Sequence, residues 1–315
     1  MRDLRIVFMG TPDFAVGVLQ KLVRSTYQIV GVITAPDKPA GRGRKLKPSA
    51  VKEYALSHQL PLLQPTNLKE DSFLEQLKNL NANLQIVVAF RMLPKSVWKL
   101  PSYGTFNLHA SLLPQYRGAA PINWAIINRE KKTGVTTFFI DDAIDTGNII
   151  LKEEIPIRDR STIGSLYDTL MNSGADLVLE TVALIEQGKE APIQQSNLEN
   201  LKMAPKLNKE NTRIDWSANV EDIDALIRGL DPYPAAWSQL FNRNEIGTVK
   251  IYRCDFNIEK HSFAVGHLIA TKDELKVAAK NGLLSIHEIQ IPGKRKMNVK
   301  ALLNGYVFDE NSKML

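Results

Sequence analysis

An amide and an imidazole, Asn107 and His109, stand two residues apart in Gly104-Thr-Phe-Asn-Leu-His-Ala-Ser-Leu-Leu-Pro-Gln-Tyr-Arg-Gly-Ala-Ala-Pro121. Residues 105–110 read as a short buried strand that breaks into a loop at 111–118 and enters a helix near Pro121. Strand side chains alternate, so Asn107 and His109 share one face while Phe106, Leu108 and Ala110 take the other. The pair combines a hydrogen-bond donor with a proton acceptor that titrates near neutrality. Acyl and formyl transfer both use that combination, because an oxyanion develops while a proton leaves the attacking nitrogen. Downstream, Asp141-Asp-Ala-Ile-Asp-Thr-Gly147 offers a carboxylate to orient the ring. Asp145 is the candidate, and Asp141 or Asp142 could stand in for it.

A strand histidine on its own is more often structural than catalytic. The same-face amide, the Pro-terminated loop and the Asp-Thr-Gly loop one hairpin later shift the reading towards a reactive site. His58, His261, His267 and His287 lack such company and read as surface or structural residues. The polar cluster has no metal-ligand spacing, so no metal is expected. The single cysteine, Cys254, excludes an intrachain disulfide and a multi-cysteine metal site. That usage fits a reducing cytoplasm.

These side chains need a scaffold. Residues 4–9 form an apolar strand, and Asp13 is placed to cap a helix over 14–22. With a strand over 27–34 this makes a βαβ unit and hence a parallel sheet. Gly10-Thr-Pro-Asp-Phe-Ala has no second glycine for a pyrophosphate to approach, so a dinucleotide site is not indicated. Alternation continues with helices over 48–58 and 71–77, strands over 60–63, 84–90, 134–140 and 148–157, and a helix over 122–128. A helix over 163–188 closes this part. The expected first domain, 1–190, is a doubly wound, mostly parallel α/β sheet whose ligand lies outside the strands' carboxyl ends. A polar linker spans 191–208. Beyond it, in 209–315, a helix over 220–228 stopped by Gly229 precedes short strands at 236–241, 248–254, 263–270, 275–279 and 283–290. Those strands suggest a small OB-like β-barrel.

The 315 residues are 44% hydrophobic and 23% charged, enough for two cores and against disorder. No apolar run is long enough to span a bilayer, and no signal peptide is expected at the N-terminus. The net charge of +6 permits a polyanionic partner without requiring one. Its distribution is more telling. Residues 35–48 carry Lys38, Arg42, Arg44, Lys45 and Lys47 against one acid, Asp37, on an irregular Pro- and Gly-containing loop at a strand's carboxyl end. Such a cluster beside a candidate active site suits phosphate contacts. Gly293-Lys-Arg-Lys296 is a second, smaller basic cluster.

Asn107-Leu-His-Ala-Ser-Leu-Leu-Pro114, Tyr116-Arg-Gly-Ala-Ala-Pro121 and Asp145-Thr-Gly147 together resemble the folate-dependent formyltransferases. The resemblance implies Asn107, His109 and Asp145 as catalytic residues and Ser111, Leu112, Leu113 and Pro114 as lining of the tetrahydrofolate site. Ala89-Phe-Arg-Met-Leu-Pro94 resembles the family's pterin wall, with Phe90-Arg91 standing where a Tyr-Gly pair is usual; glycine tolerates positive φ and arginine does so poorly. The loop at 35–48 is similar to the insertion of the members that act on tRNA, where Arg42 matches an acceptor-stem contact. Ala204-Pro-Lys-Leu-Asn-Lys209, Ile214-Asp-Trp216 and Leu230-Asp-Pro-Tyr-Pro-Ala-Ala-Trp237 are similar to the same family, with Lys206 and Lys209 as further tRNA contacts. The implied reaction moves the formyl group of 10-formyltetrahydrofolate to the amino group of methionyl-initiator tRNA. The expected enzyme is a cytoplasmic monomer without a membrane partner. The competing expectation is a folate-dependent formyltransferase of nucleotide-linked amino sugars, which can share the Asn-His-Asp set and a C-terminal barrel. A non-enzymatic RNA-binding protein would require those three residues to be incidental.

Overall fold

The computed structural model describes residues 1–40, 45–196 and 199–315. Its elements run β1 (Arg5–Gly10), α1 (Asp13–Arg24), β2 (Gln28–Ile33), β3 (Lys38–Ala40), β4 (Lys45–Lys47), α2 (Ala50–Ser57), β5 (Leu62–Leu63), α3 (Asp71–Asn79), β6 (Leu84–Val88), α4 (Lys95–Trp98), β7 (Thr105–His109), β8 (Arg117–Gly118), α5 (Pro121–Ile127), β9 (Lys132–Phe139), β10 (Ile149–Pro156) and α6 (Ile163–Gln187). There follow β11 (Met203–Ala204), α7 (Val220–Leu230), β12 (Ala236–Asn242), β13 (Glu245–Ile258), β14 (Leu268–Ala270), β15 (Leu275–Ala279), β16 (Gly282–Gln290), β17 (Met297–Asn298), α8 (Val299–Leu303) and β18 (Lys313–Met314). Two compact units result: Met1–Pro121, Lys132–Pro156 and Tyr167–Met203 form one, and Ile122–Lys131, Ile157–Leu166 and Ala204–Leu315 the other.

In the first unit the sheet order is β10-β9-β7-β6-β1-β2-β5. The strands from β5 to β7 are parallel, and β9 and β10 add antiparallel partners. The chain leaves β1 towards β2 and returns to the other side of β1 as β6, so the order reverses at the β1/β6 crevice. Strands β1 and β6 are apolar almost without interruption, the composition required when helices cover both faces. Val7, Met9 and Val87 pack with Phe73 and Leu77 of α3 on one face. On the other, Leu108 of β7 lies so close to Gly174 of α6 that a Cβ there would come within 2.8 Å. Asn107 and His109 therefore point away from α6.

In the second unit, β14-β15-β16-β13-β12-β18 form an antiparallel sheet. A bridge between His267 and Lys313 joins its ends into a small barrel. The strictly alternating burial of β12 fits one wet and one dry face. The expected α/β sheet and small barrel are both present.

Four expectations change in detail. Asp13 is the first residue of α1; Pro12 is its cap and no side chain accepts a cap hydrogen bond. Helix α7 runs through Gly229 to Leu230, because Gly229 serves close packing: a Cβ there would meet Ile127 at 2.6 Å. The strand over 263–270 begins only at Leu268, since Gly266 turns at φ +81° to bond with Met314. The 35–48 loop is not wholly irregular, as β3 and β4 pair at its base.

Candidate active site

Strand β7 lies between parallel β6 and antiparallel β9, with Asn107 opposite Val87 and Phe138 and His109 opposite Thr136. A strand so held has no freedom to slip, because one residue of register would turn the polar pair into the packed face under α6. His109 is buried and Asn107 half-buried at the carboxyl end of the sheet.

The His109 ring is fixed through Nε2, which lies 2.8 Å from the Tyr116 carbonyl. A carbonyl only accepts, so Nε2 carries the proton and the lone pair is left on Nδ1. Nδ1 faces Asp145 with its nearest carboxylate oxygen at 3.8 Å. That separation is too long for a hydrogen bond and short enough for strong attraction once the ring is protonated. The Tyr116 carbonyl therefore sets the tautomer, and the Asp145 carboxylate faces the unprotonated nitrogen. Asp145 is itself oriented by the Gly118 N–H, at 2.9 Å from the same Oδ2. Asp141 and Asp142 are engaged elsewhere. Asp141 accepts from Ala143 N and Thr146 Oγ1, and Asp142 pairs with Lys95.

Tyr116 and Asp145 both have left-handed backbone, with φ of +60° and +55°. Such residues cost about 1–3 kcal/mol each and persist only where their surroundings over-determine them. Several contacts do so. Gly147 lets its loop approach β9 so closely that a Cβ would sit 1.7 Å from the Phe139 carbonyl. Tyr116 N donates to Lys202 O at 2.6 Å. Gln195 Nε2 donates to the carbonyls of Asp145 at 3.0 Å and Gly147 at 2.8 Å. Gln195 Oε1 accepts from Arg117 Nη2 at 2.6 Å. Sequence reasoning missed Gln195, which sits in an aperiodic polar run with no motif to mark it.

The residues expected to line the folate site divide into two groups. The Ser111 hydroxyl donates to Gln115 O at 2.7 Å, its carbonyl accepts from Thr136 Oγ1 at 2.7 Å, and Leu113 is wholly buried. These two side chains turn inward and shape the loop. Leu112, Pro114 and Phe90 keep accessible surface. Arg91 is not at positive φ; the left-handed residue is Ala89, at +47°. The Arg91 guanidinium donates to the carbonyls of Pro65 and Thr66 and lies 5.6 Å from the Phe90 ring centre. Arginine is thus accommodated where the family pattern has glycine.

Of the basic loop, Arg42 and Arg44 lie outside the described residues, as does the Lys45 side chain. Lys38 and Lys47 are exposed and directly opposed across β3 and β4. Like charges facing each other destabilise a ladder, a cost that an anionic partner would remove. The stretch's one acid is already occupied. Lys52 at 2.7 Å and Gln64 at 3.0 Å hold the Asp37 carboxyl below the usual carboxylate range. In the second unit Lys206 is exposed, and Lys209 and Arg213 lie over the Trp237 ring at 5.4 and 5.7 Å from its centre. Of the second cluster, Lys296 is taken by Glu288 at 2.7 Å.

The other histidines are structural or superficial. His58 stacks on Tyr54, His261 bonds Ala279 O, His267 stacks on Phe263, and His287 pairs with Asp255.

Residues 4–182 match the family described as Formyl transferase, and residues 206–307 match the Formyl transferase C-terminal domain. A methionyl-tRNA formyltransferase of Flavobacterium johnsoniae is 58% identical over 314 residues, covering 100% of both chains. One from Bacteroides fragilis is 52% identical over 99% of this chain and 98% of its own. Among solved structures, the sugar 3N-formyl transferase WlaRD, determined with dTDP and 5-N-formyl-THF, aligns with a TM-score of 0.66 at 22% identity. That match covers 94% of this chain and 100% of WlaRD. HypX from Aquifex aeolicus with tetrahydrofolic acid gives 0.65 at 19% identity, over 96% of this chain and 47% of HypX. At these identities the two structures share the fold. The chain belongs to the formyl transferase family and, within it, to the methionyl-tRNA formyltransferases.

Proposed function

We propose that the protein transfers the formyl group of 10-formyltetrahydrofolate to the amino group of methionyl-initiator tRNA. The observation that carries this reading is the Asn107–His109–Asp145 cluster, set in a chain matched from end to end by methionyl-tRNA formyltransferases. Residues 1–190 are the catalytic domain, 191–208 the linker and 209–315 a tRNA-binding domain. The enzyme acts as a monomer in the cytoplasm. Among the described residues no helix is long and apolar enough to cross a membrane.

The donor supplies a formyl group on nitrogen, an activated acyl carbon. The methionyl amine forms a new C–N bond to that carbon while the carbonyl electrons move onto oxygen. The Asn107 side-chain N–H donates to the developing oxyanion. His109 takes the amine's proton at Nδ1, and Asp145 stabilises the resulting imidazolium. His109 returns the proton to the departing donor nitrogen as its C–N bond breaks. Phe90, Leu112 and Pro114 offer apolar surface for a flat ring, and Ser111, Leu113 and Arg91 keep that wall in shape. Lys38, Arg42, Arg44, Lys45 and Lys47, with Lys206 and Lys209, neutralise RNA phosphates. Such contacts give affinity and salt dependence without reading bases.

The test is formyl transfer from 10-formyltetrahydrofolate, with initiator methionyl-tRNA, elongator methionyl-tRNA and a UDP-linked amino sugar in parallel. Transfer to the initiator alone is expected. Transfer only to the amino sugar would keep the cluster and overturn the tRNA reading.

A further inference from the structure

The segment 191–208 reads in sequence as a tether between two domains, yet the contacts of Ile193, Gln195 and Lys202 within it are those of an active-site brace. Ile193 exchanges both backbone hydrogen bonds with Ile149, at 2.8 Å each, and so anchors the stretch beside the start of β10. Two residues on, the Gln195 amide is buried and used at both ends. Its N–H groups reach the carbonyls of Asp145 and Gly147, and its oxygen accepts from Arg117 Nε and Nη2. Lys202 then takes the Tyr116 N–H on its carbonyl, while its own N–H donates to Gln115 Oε1 at 2.8 Å.

These contacts fall on both groups that define the histidine. Tyr116 is the residue whose carbonyl holds His109 Nε2, and Asp145 is the residue whose carboxylate faces Nδ1. Each is in a left-handed conformation that its own sequence does not favour, and each is held at its backbone from this segment: Tyr116 N–H by the Lys202 carbonyl and the Asp145 carbonyl by the Gln195 side chain. Gly118, which orients the Asp145 carboxylate, follows Arg117 directly. A single amide thus spans the two loops whose separation sets the gap between Asp145 and His109.

We infer that Gln195 is a positioning residue of the active site: it fixes the Asp145 loop against the Tyr116–Gly118 loop and so sets the charge facing His109 Nδ1. The chemical role of that charge rests on the function proposed above; the positioning itself does not. The linker is therefore part of the catalytic machinery as well as a connector.

The experiment compares wild type with Gln195→Met, which keeps the volume and removes every hydrogen bond, and with Gln195→Ala. The His109 ring resonances are recorded by NMR at one fixed pH, assigned by their loss in His109→Asn, and melting and formyl-transfer kinetics are recorded on the same samples. With the carboxylate no longer held, the charge facing Nδ1 moves, so the His109 ring resonances should shift in both variants while those of the other histidines stay in place. The kcat should fall by up to about 10²-fold, the scale of a misplaced catalytic group, with KM for the donor little changed. Melting close to wild type is expected. A variant that folds and keeps the wild-type His109 ring resonances overturns the inference, as does failure of both variants to fold, which would make Gln195 purely structural. If wild type formylates no tRNA, the proposed function fails, while the His109 ring resonances still decide the role of Gln195.

Discussion

Asp224 and Asp145 both face basic groups, and the two sites are built in opposite ways. In the second unit Asp224 of α7 is buried, with Arg160 and Arg228 each 2.7 Å from its oxygens and the Cys254 thiol 3.5 Å away. Arg160 continues to Asp255 at 2.8 Å, and Arg228 donates to Ser161 O at 2.9 Å. Both carboxylate oxygens are filled by permanently charged partners. In the first unit Asp145 faces a ring that titrates, and the gap is 3.8 Å. Its own geometry depends on strained backbone held from outside. A closed pair secures a fold, because without its arginines Asp224 would be a stranded buried charge. In the proposed reaction, an open pair leaves the charge for a proton that arrives on the ring.

The most severe break in this contrast is His109→Ala. It should lower kcat by about 10²–10⁴-fold, the usual worth of a positioned general base, with tRNA affinity and melting nearly unchanged. Parallel turnover, binding and calorimetry separate those effects; a large loss of affinity would recast His109 as a binding residue. Asp224→Ala should do the reverse. Leaving Arg228, whose side chain is 18% exposed, without its carboxylate should cost about 1–3 kcal/mol of stability, read as a lower urea midpoint of the second unit's transition. Asp145→Asn should keep the Gly118 hydrogen bond while removing the charge, so kcat should drop by at least about 10²-fold at an unchanged urea midpoint. If it destabilised the fold as much as Asp224→Ala, the two carboxylates would not differ in kind. The smallest effect concerns Cys254. Burial and the neighbouring Asp224 charge push its thiol well above the ordinary range, so it stays protonated and unreactive. Iodoacetamide should label it only after unfolding, and rapid native labelling would show that the Asp224 network opens.

Much of this was legible in the chain itself. The βαβ alternation, the partition into a sheet and a barrel, and the shared face of Asn107 and His109 follow from periodicities that backbone geometry imposes locally. Element ends were less legible. Gly229 looks like a helix stop by its residue type, yet α7 continues because the missing side chain admits Ile127. Asp13 looks like a cap, yet the turn starts one residue earlier. At Gly229 a neighbour distant in sequence outweighs a local preference. The Asp-Thr-Gly match already favours Asp145 over Asp141 and Asp142, and the fold adds that those two are satisfied elsewhere.

The sequence by itself determined which residues could react, because side-chain chemistry and strand alternation need no knowledge of distant contacts. Only the tertiary structure decided how they are held: that the Tyr116 carbonyl selects the tautomer, that Asp145 stands a gap away, and that Gln195 ties their loops together. The physical reason is that these constraints are hydrogen bonds to backbone carbonyls. Every residue carries such a carbonyl, so nothing in the identity of the residues marks which one will be used.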